Sequence, residues 1–206
     1  MITTMVAIAL TIAVCLSGCG DGSSGQQALP AWSAASQNEY VNDAGVVLLS
    51  PFLPGLFDRA GIHLSKIELA PGESPGTDYY RALLMTHYLA EGSSFYLSSP
   101  SALINILCGV PVGVVPPPDM RLSDDDIQLC DQLLTVIIAY WPTIRGTSVA
   151  GLQETFLQRE GKLTIEENRY YLRVQRKTLD VLVDSVPWSF AAVYHSWMDA
   201  PLYTIW

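Results

Sequence analysis

The segment His195-Ser196-Trp197-Met198-Asp199 holds a base, a hydroxyl and a carboxylate close together in the chain, the residue types of a hydrolytic triad. Triads are assembled from separate parts of a fold, and neighbours along one short segment point in different directions, so these three do not read as a nucleophile with its base. The other histidines, His63 and His87, stand far from it and from each other, and no HxxxH, HExxH, GxSxG or P-loop spacing occurs. Glu166-Glu167 and Asp124-Asp125-Asp126 pair carboxylates, but they read as a turn and as the acidic first turn of a helix. No catalytic, metal-ligating or cofactor-binding residue is expected, and no small-molecule substrate.

Cys19 is a different kind of candidate. It lies in LSGCGDG, directly after the apolar run MITTMVAIALTIAVC, and small residues Ser17 and Gly18 precede it. The run from Val6 to Leu16 has the length of a secretory signal core and is too short to span a bilayer as a helix. The pattern resembles a bacterial lipobox, with cleavage before Cys19 and lipidation of its thiol. Met1 to Thr4 contain no Lys or Arg, so the alternative is a translation start at an accidental apolar run. Residues 1–18 are thus a candidate signal segment and 19–41, rich in Gly, Ser, Gln and Ala, a flexible tether. If the signal operates, the protein sits in the cell envelope on a lipid anchor; otherwise it is cytoplasmic.

The remaining residues, 42–206, read as one domain. VVLLSPFLPGLFDRAGI (46–62) suggests a short helix, a break near Ser50 and a second helix from Pro51, stopped at Gly61. Further helices are expected from Tyr79 to Glu91 behind Asp78, after Ser99-Pro100 up to Gly109, and from Ser123 to Pro142 with Ile127, Leu133, Leu134, Ile137, Ile138 and Trp141 as its apolar stripe. A last helix runs from Thr147 or Ser148 to Glu160, with Gly161 as its stop. The period then shifts towards two. Lys162–Glu166 and Tyr170–Arg176 predict a hairpin with Tyr170, Leu172 and Val174 inward, LDVLVD is a helical turn or a buried strand, and 190–195 and 202–206 predict two more strands. The expected fold is α+β, with about five helices followed by a small C-terminal antiparallel sheet.

Half of the 206 residues are hydrophobic, enough for a sizeable core, and 20 acidic against 11 basic residues give a charge of −9. With no stretch gathering Lys and Arg into a stripe, nucleic acid is not an expected partner. Cys108 and Cys130 could pair in an oxidising compartment, but in a domain this large they read first as buried small apolar residues. Three of the five tryptophans, Trp188, Trp197 and Trp206, fall near the C-terminus. They are either core residues or, because Trp is enriched at binding hot spots, a partner-docking surface.

Six stretches, in order, resemble the C-terminal region of the contractile injection system tape measure proteins: 42–62, 81–92, 104–112, 133–163, 171–190 and 197–206, with PFLPGLF, TSVAGLQETFLQREG and VPWSF the most specific. The resemblance implies a non-enzymatic assembly role in a phage tail-like apparatus. In such systems a long protein fills the tube during assembly and sets its length, and its C-terminal region contacts tube, baseplate or spike components. This sequence shows no counterpart of the long ruler segment, which suggests a truncated or split gene. The alternative expectation is a lipid-anchored envelope protein that binds a protein partner at the membrane.

Overall fold

A computed structural model describes residues 37–70, 72–93 and 100–206. The signal segment, most of the tether and Cys19 lie outside the described residues. Five strands build one sheet: β1 (Gln37–Val41), β2 (Gly161–Glu166), β3 (Arg169–Val174), β4 (Ala192–Val193) and β5 (Leu202–Ile205), in the order β1-β2-β3-β5-β4. The β2-β3 hairpin forms where the alternating pattern predicts it, around Glu167-Asn168. Leu163 and Leu172 face each other on the inner side, and Val41 and Val174 flank Gly161 there.

The helices cover the inner face: α1 (Leu53–Arg59), α2 (Thr77–Glu91), α3 (Ala102–Leu107), α4 (Asp124–Tyr140) and α5 (Val149–Leu152). Helix α4 starts in a full capping box, in which the Ser123 side chain accepts from Asp126 N–H while Asp126 reaches back to Ser123 N–H. Asp126 also pairs with Arg81 of α2 at 2.7 Å, tying the two helices together. Between β1 and α1 the segment Ala44–Phe52 is a 3-10 helix, buried from Ala44 to Ser50. Its chain passes so close to the end of the last helix that a Cβ on Gly45 would fall within the carbonyl oxygen of Phe156.

After α5 the helix widens into a π turn, Gln153–Leu157, closed by Gln158 N–H to Gln153 O at 2.8 Å. The widening aims two amides at one target. Gln153 donates to the carbonyls of Tyr88 and Leu89, and Gln158 to that of Ala90, satisfying the carbonyl end of α2. This gives the QETFLQ segment its structural purpose.

Several expectations are corrected. The sheet is mixed, because β5 inserts between β3 and β4 and runs parallel to β3. The connection from β3 to β5 is long enough for a crossover, a possibility that nearest-neighbour pairing ignores. Nor is the sheet purely C-terminal: Gln37–Val41, assigned to the tether, pairs along its whole length with β2. Gly161 does not stop a helix but opens β2, since the last helix ends at Leu157. The helix expected from Ser99-Pro100 is capped by Ser101, whose side chain accepts from Leu103 N–H, and α2 begins behind Gly76 rather than Asp78. No α-helical turn precedes Ser50: the segment is 3-10 from Ala44 to Phe52, and Pro51, with no N–H to donate, falls inside it and not at the start of a second helix. LDVLVD becomes two short 3-10 turns.

Candidate functional site

Strand alternation puts every second residue of the sheet on the face away from the helices. One row across that outer face runs Tyr40, Lys162, Arg173, Ile205, and the next runs Asn38, Thr164, Tyr171, Tyr203, Ala192. Tyr171 and Tyr203 stack with ring centroids 5.8 Å apart. Tyr40 is 82% exposed, Ile205 53% and Tyr203 41%. An outer sheet face is ordinarily polar, so the exposed Tyr40, Tyr203 and Ile205 make this face a candidate contact surface.

Lys162 and Arg173 stand directly opposite each other. Like charges so placed destabilise a sheet by roughly 0.2–1 kcal/mol. Arg169, by contrast, faces Glu166. Beside the opposed cations lies a cleft of about 400 Å³, with Val41, Gly161 and Val174 in its lining and Tyr40, Glu160 and Gln175 at its edges. Replacing Arg173→Glu turns the repulsion into an attraction, and thermal denaturation is expected to show the variant about 0.5–1 kcal/mol more stable.

A second cleft, of about 350 Å³, lies on the other side of the Tyr40–Asn42 segment and is lined by Glu39, Asp43, His87, Glu91 and Ser101. Asp43 is buried, its Oδ1 has no partner, and burial pushes its pKa up to about 6 against the opposing bond from Ser101, with the Glu91 charge adding to the rise. Burial lowers the pKa of His87. An acid whose folded pKa is raised binds its proton more tightly when folded, so stability declines as pH rises from about 4 through about 6. Asp43→Asn is therefore expected to add about 2 kcal/mol at pH 7 and little at pH 4, measured by urea denaturation at both values.

The expected docking tryptophans fall into three separate clusters. Trp188 is half-buried against Phe52, Tyr140 and Trp141, and its indole N–H donates to Leu48 O at 2.8 Å. Trp197 is 8% exposed, lies against Phe57 and His195, and donates to Leu107 O at 2.9 Å. Trp206 packs on Phe190, donates to Asp180 Oδ2 at 2.8 Å, and lies under the guanidinium of Arg159. Each indole is thus an internal brace. The His195 ring stacks on Trp197 with its Nε2 buried, while Ser196 and Asp199 are exposed and no hydrogen bond links the three.

Among the described residues no group of three or more His, Cys, Asp or Glu side chains could hold a metal ion. Cys108 and Cys130 are free and buried, and burial pushes both thiols up to about 12. They behave as the small apolar residues expected of them. Sequence reasoning missed the outer sheet face. Part of its signal was present, because Lys162, Arg169 and Arg173, three of the 11 basic residues, alternate onto that face within the hairpin. Averaging charge along the chain hid a cluster that cross-strand pairing then concentrates.

The architecture is an α+β unit whose mixed five-stranded sheet carries an aromatic and basic outer face. Residues 23–206 match the family model of the contractile injection system tape measure protein, and the chain belongs to that family. The matched region begins upstream of residue 42 and so takes in β1. No curated protein and no solved structure matches the chain.

Proposed function

We propose that this chain is a non-enzymatic assembly module of a contractile injection apparatus, docking onto tube or baseplate components through the outer face of its sheet. The family match over residues 23–206 carries the proposal. The outer face supports it, because Tyr40, Tyr203 and Ile205 place exposed apolar area on a rigid element beside charged groups. Trp188 and Trp206 remain partly exposed away from this face and Trp197 is buried, so the tryptophans brace the fold rather than form the docking surface. A spike component is the third candidate partner. The test is deletion and complementation. Particles from cells lacking the gene should be missing or malformed in electron micrographs and restored by the intact chain but not by a Tyr40→Asp/Ile205→Asp variant. Normal particles in the deletion strain would remove the assembly role.

A second proposal rests on LSGCGDG: lipidation of Cys19 ties the module to a membrane, where it binds a protein partner. Among the described residues no helix is long and apolar enough to cross a membrane. Incorporation of a fatty-acid analogue that Cys19→Ala abolishes is the expected result. Equal labelling of both chains, or none, counts against an anchor at Cys19.

A further inference from the structure

Three arginines have carboxylate partners within the domain: Arg81 with Asp126, Arg159 with Asp180, and Arg176 with Asp184. Lys162 and Arg173 do not. Among the described residues neither makes an ion pair, although they face each other across adjacent strands and the chain carries nine more acidic than basic residues. What sets these two apart from the other basic residues without an ion pair is that they lie directly opposite each other in the sheet, so each adds to the other's unbalanced charge. Next to them the cleft is edged by Tyr40, while Val41, Gly161 and Val174 line its base with little exposed area of their own, the space beside Gly161 being taken by Ala44. Tyr40, flanking Lys162 in the same row, is 82% exposed and forms one edge.

We infer that this cleft seats an acidic segment of a partner protein, its carboxylates on Lys162 and Arg173 and a neighbouring apolar side chain against the exposed ring of Tyr40. The inference rests on the docking role proposed above and names the chemistry of the partner. Two opposed cations repel each other in the free protein, and an anion placed between them relieves that repulsion and adds charge-assisted hydrogen bonds. Glu160, which also lines the cleft, repels a carboxylate from its own end and biases the segment towards the Lys162–Arg173 side. A nucleic acid fits less well. Its affinity grows with the number of phosphates neutralised, and an extended polyanion would run from this pair of cations onto a surface of net negative charge. A short acidic segment meets only the local field, because more distant charges are screened beyond about 10 Å.

The test uses the full chain with a fluorescein-labelled peptide of alternating Glu and Leu, read by fluorescence anisotropy. Binding to the unaltered chain is expected, with affinity falling about tenfold or more for Arg173→Glu and for Lys162→Ala, and weakening as salt is raised. Arg173→Glu should melt no lower than the parent chain, so loss of binding cannot be loss of fold. Tyr40→Ala should weaken the peptide as well, and a Glu-Gly peptide should bind more weakly than Glu-Leu. No binding of the Glu-Leu peptide, equal binding by Arg173→Glu, or equal binding of an alternating Lys-Leu peptide would overturn the inference. Displacement of the peptide by an equal concentration of single-stranded oligonucleotide would overturn it too, by assigning the cleft to phosphates. Failure here alongside malformed particles from the Tyr40→Asp/Ile205→Asp variant would remove the acidic partner and leave docking through the sheet intact.

Discussion

Asp180→Ala is expected to lower stability by about 3–5 kcal/mol, because it leaves a buried guanidinium without its counter-charge. Arg159 and Asp180 are each 1% exposed at the side chain and meet at 2.7 Å. The same carboxylate oxygen accepts from Trp206 Nε1 and from Lys177 N–H, each at 2.8 Å. Arg159 in turn donates to the carbonyls of Thr155 and Gln175. One carboxylate thus joins the π turn, the 3-10 turn after β3 and the last residue of the chain. Its other oxygen and Arg159 Nε have no partner, so the network is already incompletely satisfied. Urea denaturation should place Asp180→Asn between the parent and Asp180→Ala, since the amide oxygen still accepts from Trp206. The double change Arg159→Met/Asp180→Leu should recover most of the loss, as removal of both charges often does. A loss under about 1 kcal/mol for Asp180→Ala would mean that the pair is solvated in solution.

Trp197→Ala should cost a similar amount, about 3–5 kcal/mol, through the cavity it leaves. Its ring lies 5.8 Å from that of Phe57 and 4.7 Å from the imidazole of His195, and its N–H satisfies the carbonyl of Leu107 at the end of α3. The chain after α3 turns at Gly109, whose φ of 69° suits glycine and whose missing Cβ leaves room for the Trp197 backbone and ring edge. Trp197→Phe should lose less, keeping much of the ring and leaving only the Leu107 carbonyl unpaired. Gly109→Ala should destabilise by the same route, pushing Trp197 away. Thermal melts of the three variants check the ranking, and a Trp197→Ala protein as stable as its parent would contradict the core role.

The elements legible in the sequence were those fixed by local chemistry. Ser123 with Asp126, the alternation from Lys162 to Val174, and glycines after apolar helical runs specify their structures through neighbours a few residues away. What was not legible depends on distant partners. Gln37–Val41 looks like linker because only pairing with β2 makes it a strand. The parallel placement of β5 follows from a long connection that leaves no periodic mark. Trp206 is read as a surface hot spot or as core with equal ease until Asp180 and Arg159 are seen beneath it. The contact face was hidden for the same reason, since Tyr40, Lys162, Arg173 and Ile205 are scattered in the chain and become one row only in the sheet.

The docking proposal rests on a rigid sheet face that carries exposed aromatic, aliphatic and basic side chains. The most direct measurement is site-specific photo-cross-linking within purified particles, with the photoreactive residue placed at Tyr40, Tyr203 or Ile205 and, as control, at Val136 on the helical side, which is 55% exposed. Docking through the sheet predicts cross-links from the sheet positions to an identified tube or baseplate subunit and few from Val136. Equal cross-linking from both sides, or absence of the chain from purified particles, would contradict it.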